Sequence, residues 1–240
     1  MTTDDDWSRH GRVLVVTAHP DDPEFHFGAT VARLVGSGAE VFYAICSDGS
    51  RGVADPRPSD LEVAALRARE QREAAAVLGV REVAFLGLPD GGLTPGPALR
   101  EAIARQIRRY RPSLLLTHFP RRVLNLPVEA SHPDHVAVGE AALDAATLDA
   151  GSPRAFPEML GEGLEPHRVA EVWLPGYERP DLFVDATAFM DKKTEAILCH
   201  RSQLGDGDPA EPPAWVGEWM RGVGAGCGYE YAEHFRRITL

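Results

Sequence analysis

The sequence predicts an α/β fold, a Rossmann-like, mostly parallel sheet with helices on both faces. Two observations carry that prediction. Apolar runs at residues 13–17, 41–46, 83–86 and 114–118 are continuous rather than alternating, as expected of strands buried on both faces. Between them, apolar residues recur every three or four positions, so strands and helices alternate over residues 13–148. The first strand, helix and second strand together take about 35 residues, the size of a βαβ unit with a right-handed crossover.

Taken in order, residues 1–11 read as a loose arm before the first strand. A helix is expected over 27–35, stopped by Gly36-Ser37-Gly38. The second strand runs into the loop Ser47-Asp48-Gly49-Ser50-Arg51-Gly52. Ser59 or Asp60 can cap the next helix, expected over 61–78, whose stripe is Val63, Leu66, Ala74 and Val77. Glu70 falls on that core-facing line, and Arg67, three residues away, is its expected partner. The third strand ends in the turn-rich segment 87–92. Leu99, Ile103 and Ile107 mark a further helix with Arg105, Arg108 and Arg109 on its wet side, ended by Pro112. The fourth strand ends in His118 and a basic loop containing Arg121 and Arg122. An alanine-rich helix is expected over 136–148, a surface loop over 151–166, strands over 169–174 and 182–185, and a helix over 188–200. Residues 205–213 read as a polar loop, 222–228 as glycine-rich, and 229–236 as a terminal helix. Trp173, Trp215 and Trp219 are expected to serve core or loop packing, the alternative being a platform that stacks on a pyranose.

A chain of 240 residues is most simply one domain spanning 1–240, large enough for a substantial core. The net charge of −11 argues against nucleic acid or an anionic membrane as the main partner. No apolar run approaches the ~20 residues of a membrane span. The acidic start, Met1-Thr2-Thr3-Asp4-Asp5-Asp6, lacks the order of a secretion signal. Cys46, Cys199 and Cys227 share no metal or redox spacing, which fits a reducing cytoplasm. A homo-oligomer is as compatible with these features as a monomer.

Chemistry concentrates in two places. The first strand runs straight into His19-Pro20-Asp21-Asp22-Pro23-Glu24, and Ser131-His132-Pro133-Asp134-His135 follows more than a hundred residues later. Open α/β sheets build their sites at the C-terminal ends of such strands. Imidazole and carboxylate ligands without cysteine suit a catalytic Zn²⁺ with an open position. His19, Asp22 and His135 are the candidate ligands. Asp21 is the candidate general base, and His132 either the acid or the stabiliser of the oxyanion. Asp134 is expected to orient His132 from behind. Glu24 either orients His19 or caps the following helix, His118 can reach the site, and His200 reads as a packing residue.

These paired motifs resemble the PIG-L/LmbE-like family of zinc-dependent N-deacetylases. The likeness extends to Arg67-x-x-Glu70, Leu88-Pro89-Asp90-Gly91, Lys193 with His200-x-Ser202-Gln203, and Tyr231-Ala232-Glu233-His234-Phe235. It implies zinc on His19, Asp22 and His135, and substrate contacts from Arg67 and Asp90. The implied reaction is removal of an N-acetyl or similar acyl group from an amino-sugar-containing small molecule. The alternative is the same machinery cutting another amide, as a thiol-conjugate amidase or an antibiotic-tailoring deacylase would. A non-catalytic sugar- or nucleotide-binding module is a rival of another class, but Phe27-Gly28-Ala29-Thr30 is not a dinucleotide fingerprint.

Overall fold

The computed structural model describes residues 7–124, 131–204 and 211–240. Most of the acidic arm, part of the run before Ser131 and most of the polar loop after Leu204 lie outside the described residues. The chain runs β1 (Arg12–Thr17), α1 (Asp22–Gly36), β2 (Glu40–Ser47), α2 (Asp60–Leu78), β3 (Glu82–Leu88), α3 (Pro97–Tyr110), β4 (Leu114–Thr117) and α4 (Pro133–Asp144). It continues through α5 (Glu158–Gly161), β5 (Glu171–Pro175), β6 (Leu182–Asp185), α6 (Met190–Leu198), α7 (Ala214–Ala225) and β7 (Ala232–Thr239).

Among the described residues, seven strands form one sheet in the order β3-β2-β1-β4-β5-β7-β6. The pairs among β3, β2, β1, β4 and β5 are parallel, and β7 runs antiparallel to both of its neighbours. The chain steps outward from β1 to β3 and then returns to place β4 on the other side of β1. A crevice opens between the C-terminal ends of β1 and β4, at the point where the strand order reverses.

The continuous apolar character of β1 has a direct cause. Val13 and Val15 share a cluster with Phe27, Val31 and Leu34 of α1 and with Ala74 and Leu78 of α2. Leu14 and Val16 join Ile103 and Ile107 of α3 and Val138 and Ala142 of α4 on the opposite face. Each such side chain, fully buried, contributes roughly 1.5–3 kcal/mol. Gly139 lets α4 come close to the end of β4, since a Cβ there would lie 2.5 Å from the His118 carbonyl oxygen.

Several expectations are corrected. Residues 229–236 are mainly strand, because β7 fills the gap between β5 and β6 and pairing with both overrides the local pattern. The glycine-rich tail conceals α7, whose Val216 and Met220 bury against Ala29 and Ile197. The first helix begins at Asp22, inside the motif. The helix expected over 136–148 is α4 followed by a π-helical turn, Ala145–Asp149. Arg108 is not on a wet face. It is buried and donates to the carbonyls of Asp149, Ala150, Ser152 and Ala155, tying down the turn and the irregular stretch beyond it. Glu70 does not pair with Arg67 but accepts from the N–H (3.0 Å) and hydroxyl (2.6 Å) of Ser202. Among the described residues, no helix is long and apolar enough to cross a membrane.

Candidate active site

β1 delivers His19, β4 delivers His118, and the N-terminal turn of α4 delivers His135, all into the crevice. The N-terminal turn of α1 adds Asp22. His19 Nδ1 lies 3.2 Å from His135 Nε2 and 3.5 Å from Asp22 Oδ2, and His135 Nε2 lies 3.0 Å from Asp22 Oδ1. Ligand bonds of ~2.0–2.1 Å in a tetrahedron separate donor atoms by about 3.3 Å. Each of the three pairs lies close to that separation, with Asp22 meeting His19 through Oδ2 and His135 through Oδ1. Among the described residues, three other groups, His19-His132-His135, His26-His118-His135 and His19-Asp90-Asp134, also bring ligand atoms within 4.8 Å of one another.

The surroundings favour a cation. Asp22, Asp90 and Asp134 all approach His19. Burial pushes the His19 imidazole down, but its contacts with Asp134, Asp22 and Asp90 outweigh this and raise it to about 12. Three carboxylates converging on one imidazole offer the same compensation to a metal ion. Asp22 is held well below the usual carboxylate range: burial pushes it up, and His135 and His118 more than offset this.

Asp134 corrects one expectation. Its carboxylate accepts from the N–H groups of Gly91 (2.8 Å) and Leu93 (3.1 Å) and lies 3.3 Å from His19 Nε2. It orients His19, not His132. Asp90 Oδ1 reaches the same nitrogen at 3.2 Å. These carboxylates only accept, so His19 carries a proton on Nε2 and directs Nδ1 into the triad. The contact with His132 comes from the Asp134 backbone, whose N–H donates to His132 Nδ1 at 3.2 Å.

Asp21 has the most unusual backbone of the site, φ 126° and ψ −33°. A non-glycine residue there costs on the order of 1–3 kcal/mol and persists only where its surroundings hold it. Its N–H donates to Gln71 Oε1 (2.9 Å), and its carbonyl accepts from the Glu24 N–H (3.0 Å). Arg67 Nη2 donates to the Asp21 carboxylate (3.1 Å) and to Pro20 O (2.6 Å), while Nη1 donates to Gly49 O (2.9 Å). The loop after β2 wraps this guanidinium so closely that a Cβ on Gly52 would sit 2.2 Å from Nη1. Burial raises the Asp21 carboxyl to about 6 against the opposing pull of Arg67.

Behind Asp21 runs a buried chain of hydrogen bonds. Gln71 Nε2 donates to both Glu24 oxygens (3.0 Å each), and His200 Nε2 donates to Glu24 Oε2 (2.9 Å). Glu24 thus neither orients His19 nor caps α1. Lys193 Nζ donates to Phe25 O (2.7 Å) and Glu233 Oε1 (2.6 Å), and Glu233 accepts from the Ala29 and Thr30 N–H groups. This buried ion pair clamps the helix that carries Asp22, Glu24 and His26.

A cavity of about 470 Å³ opens from Asp21, Asp22 and His135 toward β5, β7 and α7. Arg67 and Asp90 do not line it. They are 3% and 6% exposed, and their polar atoms are directed at the protein's own loops. His118 stacks on His135 (4.1 Å between ring centres, 6°) and meets Asp22 at 3.1 Å. His26, Gln71 and Tyr177 were not singled out from the sequence. His26 stands four residues after Asp22 and Gln71 four after Arg67, so one helical turn was the available signal. Tyr177, whose hydroxyl lies 3.2 Å from His26 Nδ1, had none. Arg121 pairs with Glu178 at the surface.

Residues 14–146 match the family model described as PIG-L, GlcNAc-PI de-N-acetylase. The chain belongs to the PIG-L family. A diacetylchitobiose deacetylase of Thermococcus kodakarensis is 32% identical over 231 residues, covering 95% of this chain and 83% of the relative. A mycothiol S-conjugate amidase of Streptomyces coelicolor is 27% identical, covering 87% and 71%. Among solved structures, the N,N'-diacetylchitobiose deacetylase of Pyrococcus horikoshii, in complex with an inhibitor, superposes with a TM-score of 0.88 at 30% identity, covering 98% and 86%. The PIG-L match ends just beyond α4, so it spans both polar motifs and stops short of β5, β7 and α7, where the cavity's far wall is built.

Proposed function

We propose that this chain is a zinc-dependent deacetylase that hydrolyses the N-acetyl amide of an amino-sugar-containing small molecule. The observation that carries this is the triad of His19 Nδ1, Asp22 and His135 Nε2 at pairwise separations of 3.0–3.5 Å, with Asp21 lining the same cavity. These three side chains would hold the ion. Zinc, when bound, polarises a carbonyl and lowers the pKa of its water to about 7.

The chain supplies the rest. His19 is aimed by Asp134 and Asp90. Asp21, raised to about 6, is ionised at neutral pH yet basic enough to take the proton of the attacking water. His132 Nδ1 already accepts from the Asp134 N–H, so its proton sits on Nε2. Burial and the neighbouring His19 and His135 push His132 down, which keeps it neutral. This favours oxyanion stabilisation by the Nε2–H over an imidazolium acid. The water oxygen bonds to the carbonyl carbon, the C–N bond breaks, and Asp21 passes its proton to the leaving nitrogen. The products are acetate and the free amine. The three thiols, all unpaired, support a reducing compartment, and we place the enzyme in the cytoplasm.

The test is acetate release from N-acetylglucosamine and N,N'-diacetylchitobiose before chelation, after it, and after restoring zinc. Activity should vanish and return. Turnover that survives complete metal removal would overturn the mechanism. Cleavage confined to amides other than N-acetyl sugars would move the enzyme to the amidase alternative.

A further inference from the structure

The cavity is far larger than an acetyl group requires, and its far wall is aromatic. Trp215 and Trp219, one helical turn apart on α7, both line it. They are 56% and 43% exposed, unusual for the largest apolar side chain. Trp173, by contrast, is fully buried in the core as expected. Neither exposed indole is loose. Trp215 lies flat on Phe25 (5.5 Å, 17°), and Trp219 meets the His234 ring edge-on (5.8 Å, 74°). Trp215 is stacked on one face, and both indoles keep large exposed areas while lining the cavity. Polar groups border the wall, with His26 and Tyr177 on the side of the metal-ligand triad and His234 on β7.

We infer that Trp215 and Trp219 form a carbohydrate subsite that stacks a second sugar ring, beyond the one bearing the scissile amide. This rests on the amino-sugar deacetylase function proposed above and adds to it the size of the substrate. A pyranose has an apolar face of C–H bonds and a rim of hydroxyls. It matches flat aromatic surface with hydrogen-bonding groups at its edge. An alkyl chain would need no such polar border. The cavity is continuous from Asp21 and His135 to this wall, so one ligand can span both. At about 470 Å³ it falls within the range of pockets for ligands of drug size. Braced rings lose little freedom on binding, which favours affinity without a conformational step.

The test compares wild type with Trp215→Ala, Trp219→Ala and the double variant on N-acetylglucosamine, N,N'-diacetylchitobiose and N-octanoylglucosamine. Each single change should raise KM for the disaccharide by about tenfold, the upper scale for losing one aromatic stacking contact. KM for the monosaccharide and kcat for both should stay within about twofold. Equal losses on mono- and disaccharide would overturn the subsite. So would a loss that appears only with the octanoyl amide, which would make the wall an acyl pocket. A binding readout separates this from the deacetylase proposal. Titrating the fully deacetylated disaccharide, which has no amide to cleave, should change tryptophan fluorescence in wild type and leave the double variant silent. If wild type hydrolyses no N-acetyl sugar but the titration behaves as stated, the function is wrong and the subsite stands. If no titration signal arises, the subsite fails whatever the activity.

Discussion

At Asp21 the backbone N–H, the carbonyl and the carboxylate all have protein partners, while at Trp215 and Trp219 broad apolar faces meet solvent. Both places line the same cavity. Around Asp21 a strained backbone is held by Gln71, Arg67, Glu24 and His200, each drawn from a different turn of the chain. Around α7 two rings meet Phe25 and His234 and stay largely exposed. Chemistry requires groups fixed to a fraction of an ångström, so it sits where hydrogen bonds over-determine the geometry. Recognition of a large flat ligand requires exposed surface kept in place, so it sits where one face is braced and the other is free.

If that contrast is right, changes on the polar side should alter metal content, turnover and stability, and changes on the aromatic side should not. His19→Ala has the largest expected effect. Metal content by elemental analysis should fall to near zero and turnover by at least ~10⁴-fold, toward background. Asp21→Asn should keep the metal and lose about 10²–10⁴-fold in kcat. In wild type, kcat/KM should fall as pH drops through about 6, because only the ionised Asp21 acts as base and its pKa is raised to that value. Metal retention with wild-type turnover in Asp21→Asn would remove Asp21 from the mechanism.

Gln71→Ala tests the bracing. It leaves the Asp21 N–H and the Glu24 carboxylate each short of a buried partner, at a cost of roughly 1–3 kcal/mol. For a chain of this length each kcal/mol corresponds to about 2–4 °C in Tm, so a fall of several degrees with reduced kcat is expected. An unchanged Tm would mean the strained loop holds itself. The smallest effect is expected from the Trp215→Ala, Trp219→Ala double variant. Its stability should stay within about 0.5 kcal/mol per site, as for exposed positions without buried polar partners. A large loss of Tm would show that α7 needs its indoles for packing and would weaken the contrast.

Much of this protein follows from local residue order. β1, β2 and β4 are continuous apolar runs because both faces of the sheet are covered, and that can be read without coordinates. Ser59 and Glu62 form the capping box that starts α2, again a local signal. His19, Asp21 and Asp22 adjoin a strand end, and His132, Asp134 and His135 adjoin a helix start. Chemistry at those positions is visible as residue type and spacing. What the tertiary structure alone decided is which groups face one another. Arg67 turns to Asp21 and the loop after β2 rather than to Glu70, and Asp134 turns to His19 rather than to His132. β7 is a strand because a gap between β5 and β6 awaited one, and the indoles of α7 are exposed because the cavity lies beside them. Spacing along a chain constrains neighbours within a turn or two. The partner of a buried charge is set instead by whichever remote segment packing brings within about 3 Å, since an unpaired polar group there is costly.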